Sequence, residues 1–168
     1  MFGRMQEELE PIGFRRLGVH VERPPLKRGE VAYDFVHEAA QTWGTAYGRG
    51  EDVQLVLLTP FDGSSFVLTA DHRLMSNDQP GKCLAGGMPG AQPEHLLAAH
   101  LRRVERLKEA GRTVSADLSL EARVRAANAW FAGWGARELR LRHVNGLLMT
   151  GMAVAIAGVM IWALVRNG

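Results

Sequence analysis

Between positions 144 and 165 the chain reads VNGLLMTGMAVAIAGVMIWALV, 22 residues without a charged side chain, followed by Arg166, Asn167 and Gly168. At about 1.5 Å of rise per residue, a helix of this length crosses a hydrocarbon core of roughly 30 Å. The other home for so apolar a run is the centre of a large soluble core, but the 143 residues that precede it are too few to surround it on all sides. The sequence therefore predicts one C-terminal transmembrane helix over 144–165, with a short tail at 166–168. Such a chain is a head on an anchor.

The head has the size of one domain, large enough to bury a core without disulfides or a structural metal. Cys83 is the single cysteine and has no intramolecular partner. Near the N-terminus, Glu7, Glu8 and Glu10 and the lack of an apolar core segment argue against a signal or transit peptide, so the span itself is expected to direct the chain to the membrane, as in tail-anchored proteins. Net charge is only +2, but it is unevenly placed: residues 112–143 carry six arginines against three acids. Basic residues beside a span stay in the cytoplasm. Arg137, Arg140 and Arg142 precede the span and Arg166 alone follows it, which predicts a single-pass protein with a cytoplasmic N-terminal head.

Within the head, residues 5–17 read as a short helix interrupted by Pro11 and Gly13. Arg23, Pro24 and Pro25 begin a loop, and 31–38 alternates like a strand, with Val31, Tyr33 and Phe35 on one side. Residues 39–47 are ambiguous between strand and helical turn. The clearest β signal is 53–59, VQLVLLT, followed by a Pro-Phe-Asp-Gly-Ser turn and a returning strand over 65–71. A Gly- and Pro-rich loop over 76–92 holds one short strand near 82–85. Pro93 opens a helix with Leu97, Leu101, Val104 and Leu107 at core-facing spacing, and Gly111 stops it. A second helix begins near Asp117 or Ser119, both good N-caps. The expected fold is α+β: a small antiparallel sheet centred on 53–71 with packed helices. It divides into a cytoplasmic α+β domain over 1–115, an amphipathic juxtamembrane helix over 116–143 and the span.

Two sets of residues bear on the membrane. Gly151, Ala155 and Gly158 fall at i, i+4 and i+7, a small-residue stripe that admits a second helix at close range within lipid. The competing reading is that small residues simply face lipid. Trp130, Phe131 and Trp134 lie among Arg123, Arg125, Arg137, Arg140 and Arg142, a mixture suited to the headgroup zone, with aromatic rings at the interface and guanidinium groups on phosphate. Packing of the same rings on the head, with solvated arginines, is the alternative. Nucleic acid is not an expected partner, because net charge is small and no nucleic-acid motif is present.

No catalytic signature stands out. Asp71 and His72 are an acid beside an imidazole, but neighbours on an extended strand point to opposite faces, so they read as loop residues. His95 and His100 are five apart on a helix, and the zinc pattern His-Glu-x-x-His is absent. Residues 85–90, AGGMPG, precede a helix N-terminus, but no Lys-Ser or Lys-Thr follows, so they read as a turn rather than a phosphate loop. Cys83 lacks any nucleophile motif. No catalytic residue, metal ligand or cofactor is predicted. The expected function is a non-enzymatic, membrane-anchored interaction domain or accessory subunit of a membrane complex. Its expected partners are membrane lipid and a membrane protein or second copy through the span. The competing reading is a membrane-bound enzyme or small-molecule sensor with its site near the Gly-rich loop, where Asp71, His72 and Cys83 are the groups to test.

Overall fold

The computed structural model describes residues 2–22, 29–49, 52–74, 78, 82–132, 144, 146, 148–154 and 156. An amphipathic helix, α1 (Phe2–Leu9), runs into a 3-10 turn at Glu10–Ile12. Pro11 suits the start of that turn, and Gly13, at φ +94°, ends it in a left-handed conformation that few other residues tolerate. The chain then enters β1 (Arg15–Glu22), β2 (Glu30–His37), β3 (Thr42–Arg49), β4 (Asp52–Pro60), β5 (Phe66–Ala70) and β6 (Cys83–Gly87). Helix α2 (Pro93–Glu109) follows, and α3 (Leu120–Ala132) closes the described order.

The six strands form one sheet in sequence order. β1 to β5 are an antiparallel meander, and β6 joins β5 in parallel. The fold is α+β as expected, but the sheet is larger than one centred on 53–71, and it is mixed. The first strand begins at Arg15, inside the stretch expected to be helical, because Gly13 has already stopped the helix. The ambiguous segment at 39–47 is a turn through Gln41 followed by β3 from Thr42. The parallel return of β6 depends on Gly87: a Cβ there would sit 2.1 Å from the His72 carbonyl oxygen and 2.6 Å from the Leu74 nitrogen. Only glycine lets the connection from β5 cross so close.

One face of the sheet holds Phe35, Ala46, Leu55 and Leu57 against Met5 and Leu9 of α1, Phe14, and Leu96 and Leu97 of α2. Farther along, Val67 and Leu84 meet Val104 and Leu107 of α2, with Phe61 beside them. Burying such side chains stabilises the fold by about 1.5–3 kcal/mol each. The opposite face carries buried Ala32, Asp34, Val36, Trp43, Thr45, Leu58 and Leu68. Helix α3 meets this face: the Trp43 indole donates to the Leu118 carbonyl at 3.2 Å, and a Cβ on Gly18 would lie 2.8 Å from Leu120. Ser119 is the N-cap, its hydroxyl accepting the Ala122 N–H at 3.2 Å.

The chain divides into two units, Met1–Ala127 and Asn128–Gly168. The first takes in the opening turns of α3. Among the described residues no helix is long and apolar enough to cross a membrane. The expected span lies largely outside them, and its described positions are helical and exposed. Trp134, Arg137, Arg140, Arg142, Ala155 and Gly158 lie outside the described residues, as does the side chain of Trp130. Gly151 is helical and exposed, and a Cβ there would meet nothing within 4 Å.

Candidate functional site

A charged cluster is buried where α3 meets the sheet. Alternation places Asp34 of β2 between Ala32 and Val36 on the inner face, fully buried, where an unpaired carboxylate would cost several kcal/mol. It is not unpaired. The Thr45 hydroxyl donates to its Oδ1 at 2.7 Å, and the His20 Nδ1–H donates to its Oδ2. Arg123 of α3 reaches in, its Nε donating to Thr45 Oγ1 at 2.9 Å and lying 3.5 Å from Asp34 Oδ1. Glu22, two residues after His20 on the same face of β1, lies 3.3 Å from His20 Nε2 and 4.0 Å from Arg123 Nη2.

The hydrogen bond to Asp34, and then that to Glu22, raise the His20 pKa to about 9 against the opposing effect of burial. At neutral pH the imidazole is therefore a cation, and two positive charges balance two negative ones. Burial lowers the Arg123 pKa, with Asp34 and Glu22 opposing it. Its Nη1 is buried without a hydrogen-bond partner among the described residues.

A second polar line adjoins the cluster. Asp71 Oδ2 accepts the Leu55 N–H at 2.8 Å, and its Oδ1 lies 3.3 Å from His72 Nδ1. His72 Nε2 in turn lies 3.4 Å from the Tyr47 hydroxyl, with the two rings edge to face at 6.1 Å. The carboxylate accepts only, so Nδ1 carries the proton and Nε2 accepts from the phenol. Burial raises the Tyr47 pKa, reinforced by Glu22, Asp71 and Glu30, and keeps the phenol neutral. Asp71 and His72 thus meet, contrary to the expectation from strand alternation. β5 ends at Ala70, and the two residues sit in a bend where alternation no longer applies. The line has the order of an acid, an imidazole and a hydroxyl used in proton transfer, at distances long enough to need tightening before a proton moves.

The other sequence candidates are placed apart. Cys83 is buried in β6, and burial, with Asp78 beside it, pushes its thiol up to about 12, so it is a poor nucleophile. Ala85, Gly86 and Gly87 belong to β6, and their smallness serves packing: a Cβ on Gly86 would lie 2.6 Å from the Arg103 guanidinium. His95 is exposed, whereas His100 is fully buried on the α2 side of the sheet. Its ring bridges the hydroxyls of Thr59 at 2.9 Å and Thr69 at 3.0 Å. Thr42 extends this network to Thr59 at 2.7 Å, and Arg103 donates to Thr69 at 3.1 Å. Burial, and then Arg103, lower the His100 pKa to about 3, so it is a neutral core imidazole.

Sequence reasoning missed His20, Glu22, Asp34, Thr45 and Tyr47, and it set Arg123 among headgroup-facing or solvated arginines, whereas the structure buries it against Thr45 and Asp34. One signal was present: an acid at the inward phase of β2 requires a cation from elsewhere. No protein-family model, no curated protein and no solved structure matches the chain.

Proposed function

We propose that this protein is a membrane-anchored interaction head, a non-enzymatic accessory subunit whose α+β unit faces the cytoplasm and whose apolar segment over 144–165 lies in the bilayer. The observation that carries this reading is the state of that segment. Val144, Leu148, Met149, Met152, Val154 and Ile156 are each more than half exposed. At about 3.6 residues per turn they are spread around more than half of the helix circumference. A helix lying on a protein or on a membrane surface shows one apolar stripe and a polar back. Here the remaining arc carries Gly146, Thr150 and Ala153, and the Thr150 hydroxyl donates to the Gly146 carbonyl at 2.9 Å, as polar side chains do within lipid. Lipid is the solvent in which such a surface is stable. Arg137, Arg140 and Arg142 against Arg166 favour the cytoplasmic orientation. Contacts through Gly151, Ala155 and Gly158, and headgroup contacts through Trp130 and Trp134, belong to the same proposal.

The test is deletion of 144–168. The full chain is expected to resist extraction from membranes by alkaline carbonate, and the truncated chain to be released. Retention of the truncated chain in the washed membrane would mean that the anchor lies elsewhere.

The line of Asp71, His72 and Tyr47 favours a second reading, a small-molecule sensor or enzyme, with Tyr47 taking the place that Cys83 held. Its test is the His72 ring resonance titrated with small carboxylates and amides. A saturable shift supports a site, and no shift at tens of millimolar removes it.

A further inference from the structure

We propose that α3 is a releasable strap, a helix that leaves the sheet about a hinge at Ala116 while the sheet and α2 stay folded. The two helices are held in different ways. α2 sets Leu96, Leu97, Val104 and Leu107 into the core. Among the described side chains of α3, only Ala122, Arg123 and Ala127 are buried, with Leu120 and Val124 partly so. Two alanine methyls remove little apolar area from water, and the one large buried side chain is a cation. Polar contacts therefore do most of the holding. They are Arg123 on Thr45, Asp34 and Glu22, and the Leu118 carbonyl on the Trp43 indole, with Leu120 seated at Gly18 beside them.

Both halves of this contact are complete when they part. Asp34 keeps the Thr45 hydroxyl and the His20 ring, and Glu22 keeps His20, so release leaves neither carboxylate without a partner. Arg123 regains water, which also serves the Nη1 that docking leaves buried without a partner among the described residues. The helix takes its caps with it. The Ser119 hydroxyl holds the Ala122 N–H, and Asp117 accepts the Ser119 N–H at 3.1 Å and the Arg125 guanidinium at 2.9 Å. The chain just before is pinned: Val114 bridges Phe61, and the Ser115 N–H donates to the Pro60 carbonyl at 3.0 Å. Movement is confined to the joint between Ser115 and the Asp117 cap, at the exposed Ala116. With α3 seated, the first unit ends at Ala127. With α3 released, it ends at Ser115, and residues 116–127 join the tether, about 18 Å as helix. The strap thus sets how far the α+β unit reaches from its anchor. That consequence rests on the proposed membrane anchor, whereas the release itself does not.

The experiment uses the full chain in mild detergent. Hydrogen exchange followed by mass spectrometry is expected to show the amides of 121–127 exchanging about a hundredfold faster than those of α2 and of β2 to β4. Arg123→Glu, which sets a carboxylate against Asp34 and Glu22, is expected to abolish the protection of α3 and leave that of the sheet and α2 in place. Trp130→Phe, Trp134→Phe and Trp162→Phe leave Trp43, 1% exposed, as the sole indole. In that background Arg123→Glu is expected to strip Trp43 of its shielding from acrylamide. Exchange of α3 at the rate of the sheet in the unaltered chain would overturn the proposal, since α3 would then open only with the whole unit. So would loss of protection throughout the sheet in Arg123→Glu, or a Trp43 that stays shielded, which would mean fraying in place. These readings do not depend on the bilayer: a chain that passes them and fails carbonate extraction keeps the strap and loses the anchor.

Discussion

Replacing Arg123 with Met tests the buried cluster at its centre. The substitution keeps most of the side-chain volume and removes the charge and the hydrogen bond to Thr45. Asp34 is then left with His20 and Thr45, and Glu22 loses one of its two cations. Breaking a buried ion pair by removing one partner costs about 3–5 kcal/mol. Protonated His20 still compensates Asp34, so the loss should lie at the lower end, about 3 kcal/mol. For a unit of this size that is a fall of roughly 10 °C in Tm. Asp34→Asn strands Arg123 and removes the principal partner of His20, for a similar loss of about 3 kcal/mol. In the double variant neither charge is stranded, and the combined loss should fall short of the sum by about 2 kcal/mol. Denaturation of all four proteins in the same detergent, followed by far-UV circular dichroism, gives the cycle. Losses that add to within about 0.5 kcal/mol would refute the pairing.

The two buried histidines set opposite limits on pH. His20 has its pKa raised to about 9, so its contribution is complete below about pH 6.5 and is lost as pH rises through 9, by about 1–2 kcal/mol after solvent screening. His20→Gln should flatten that alkaline decline in a urea-melt series across pH 6–10. His100 is depressed to about 3, so the unfolded chain takes up a proton that the folded one refuses, and stability falls as pH drops below 6.5 toward 3. His100→Asn should lessen that acid decline, measured the same way. Gly87→Ala should abolish soluble folding, because its Cβ would meet backbone at 2.1 Å, whereas Gly90→Ala, at φ +73° with open space around it, should cost only about 1 kcal/mol by thermal melting. Protease added outside intact cells should spare the head and cleave it after lysis, and cleavage before lysis would reverse the orientation.

Long periodic segments were legible in the sequence. The helix opening at Pro93 occurs because its apolar spacing reports one buried face, and the strands over 53–59 and around Tyr33 and Phe35 occur because their runs of β-forming apolar residues suit a sheet covered on both sides. β1 was not legible. In RRLGVHVE only Val19 and Val21 alternate regularly, and the bulge breaks the phase ahead of them. Nor was the parallel partner of β5, since a five-residue strand of CLAGG has weak intrinsic preference and is fixed by the close approach at Gly87. The buried cluster joins residues from four separate elements. Position along the chain carries no sign that His20 and Arg123 share Asp34, and only the acid itself, inward on a largely apolar strand, announces that something must answer it.

Anchoring is tested most directly by the surroundings of 144–165 in a bilayer. Nitroxide labels placed singly at Leu148, Met152 and Ile156 of the full chain in liposomes report collisions with oxygen, which partitions into lipid, and with a water-soluble nickel complex. The account predicts that oxygen collisions dominate at all three sites and that the nickel complex is progressively excluded toward the centre of the span. Labels that meet the nickel complex freely, or that are immobilised and reached by neither reagent, would place the segment in water or inside protein and contradict it.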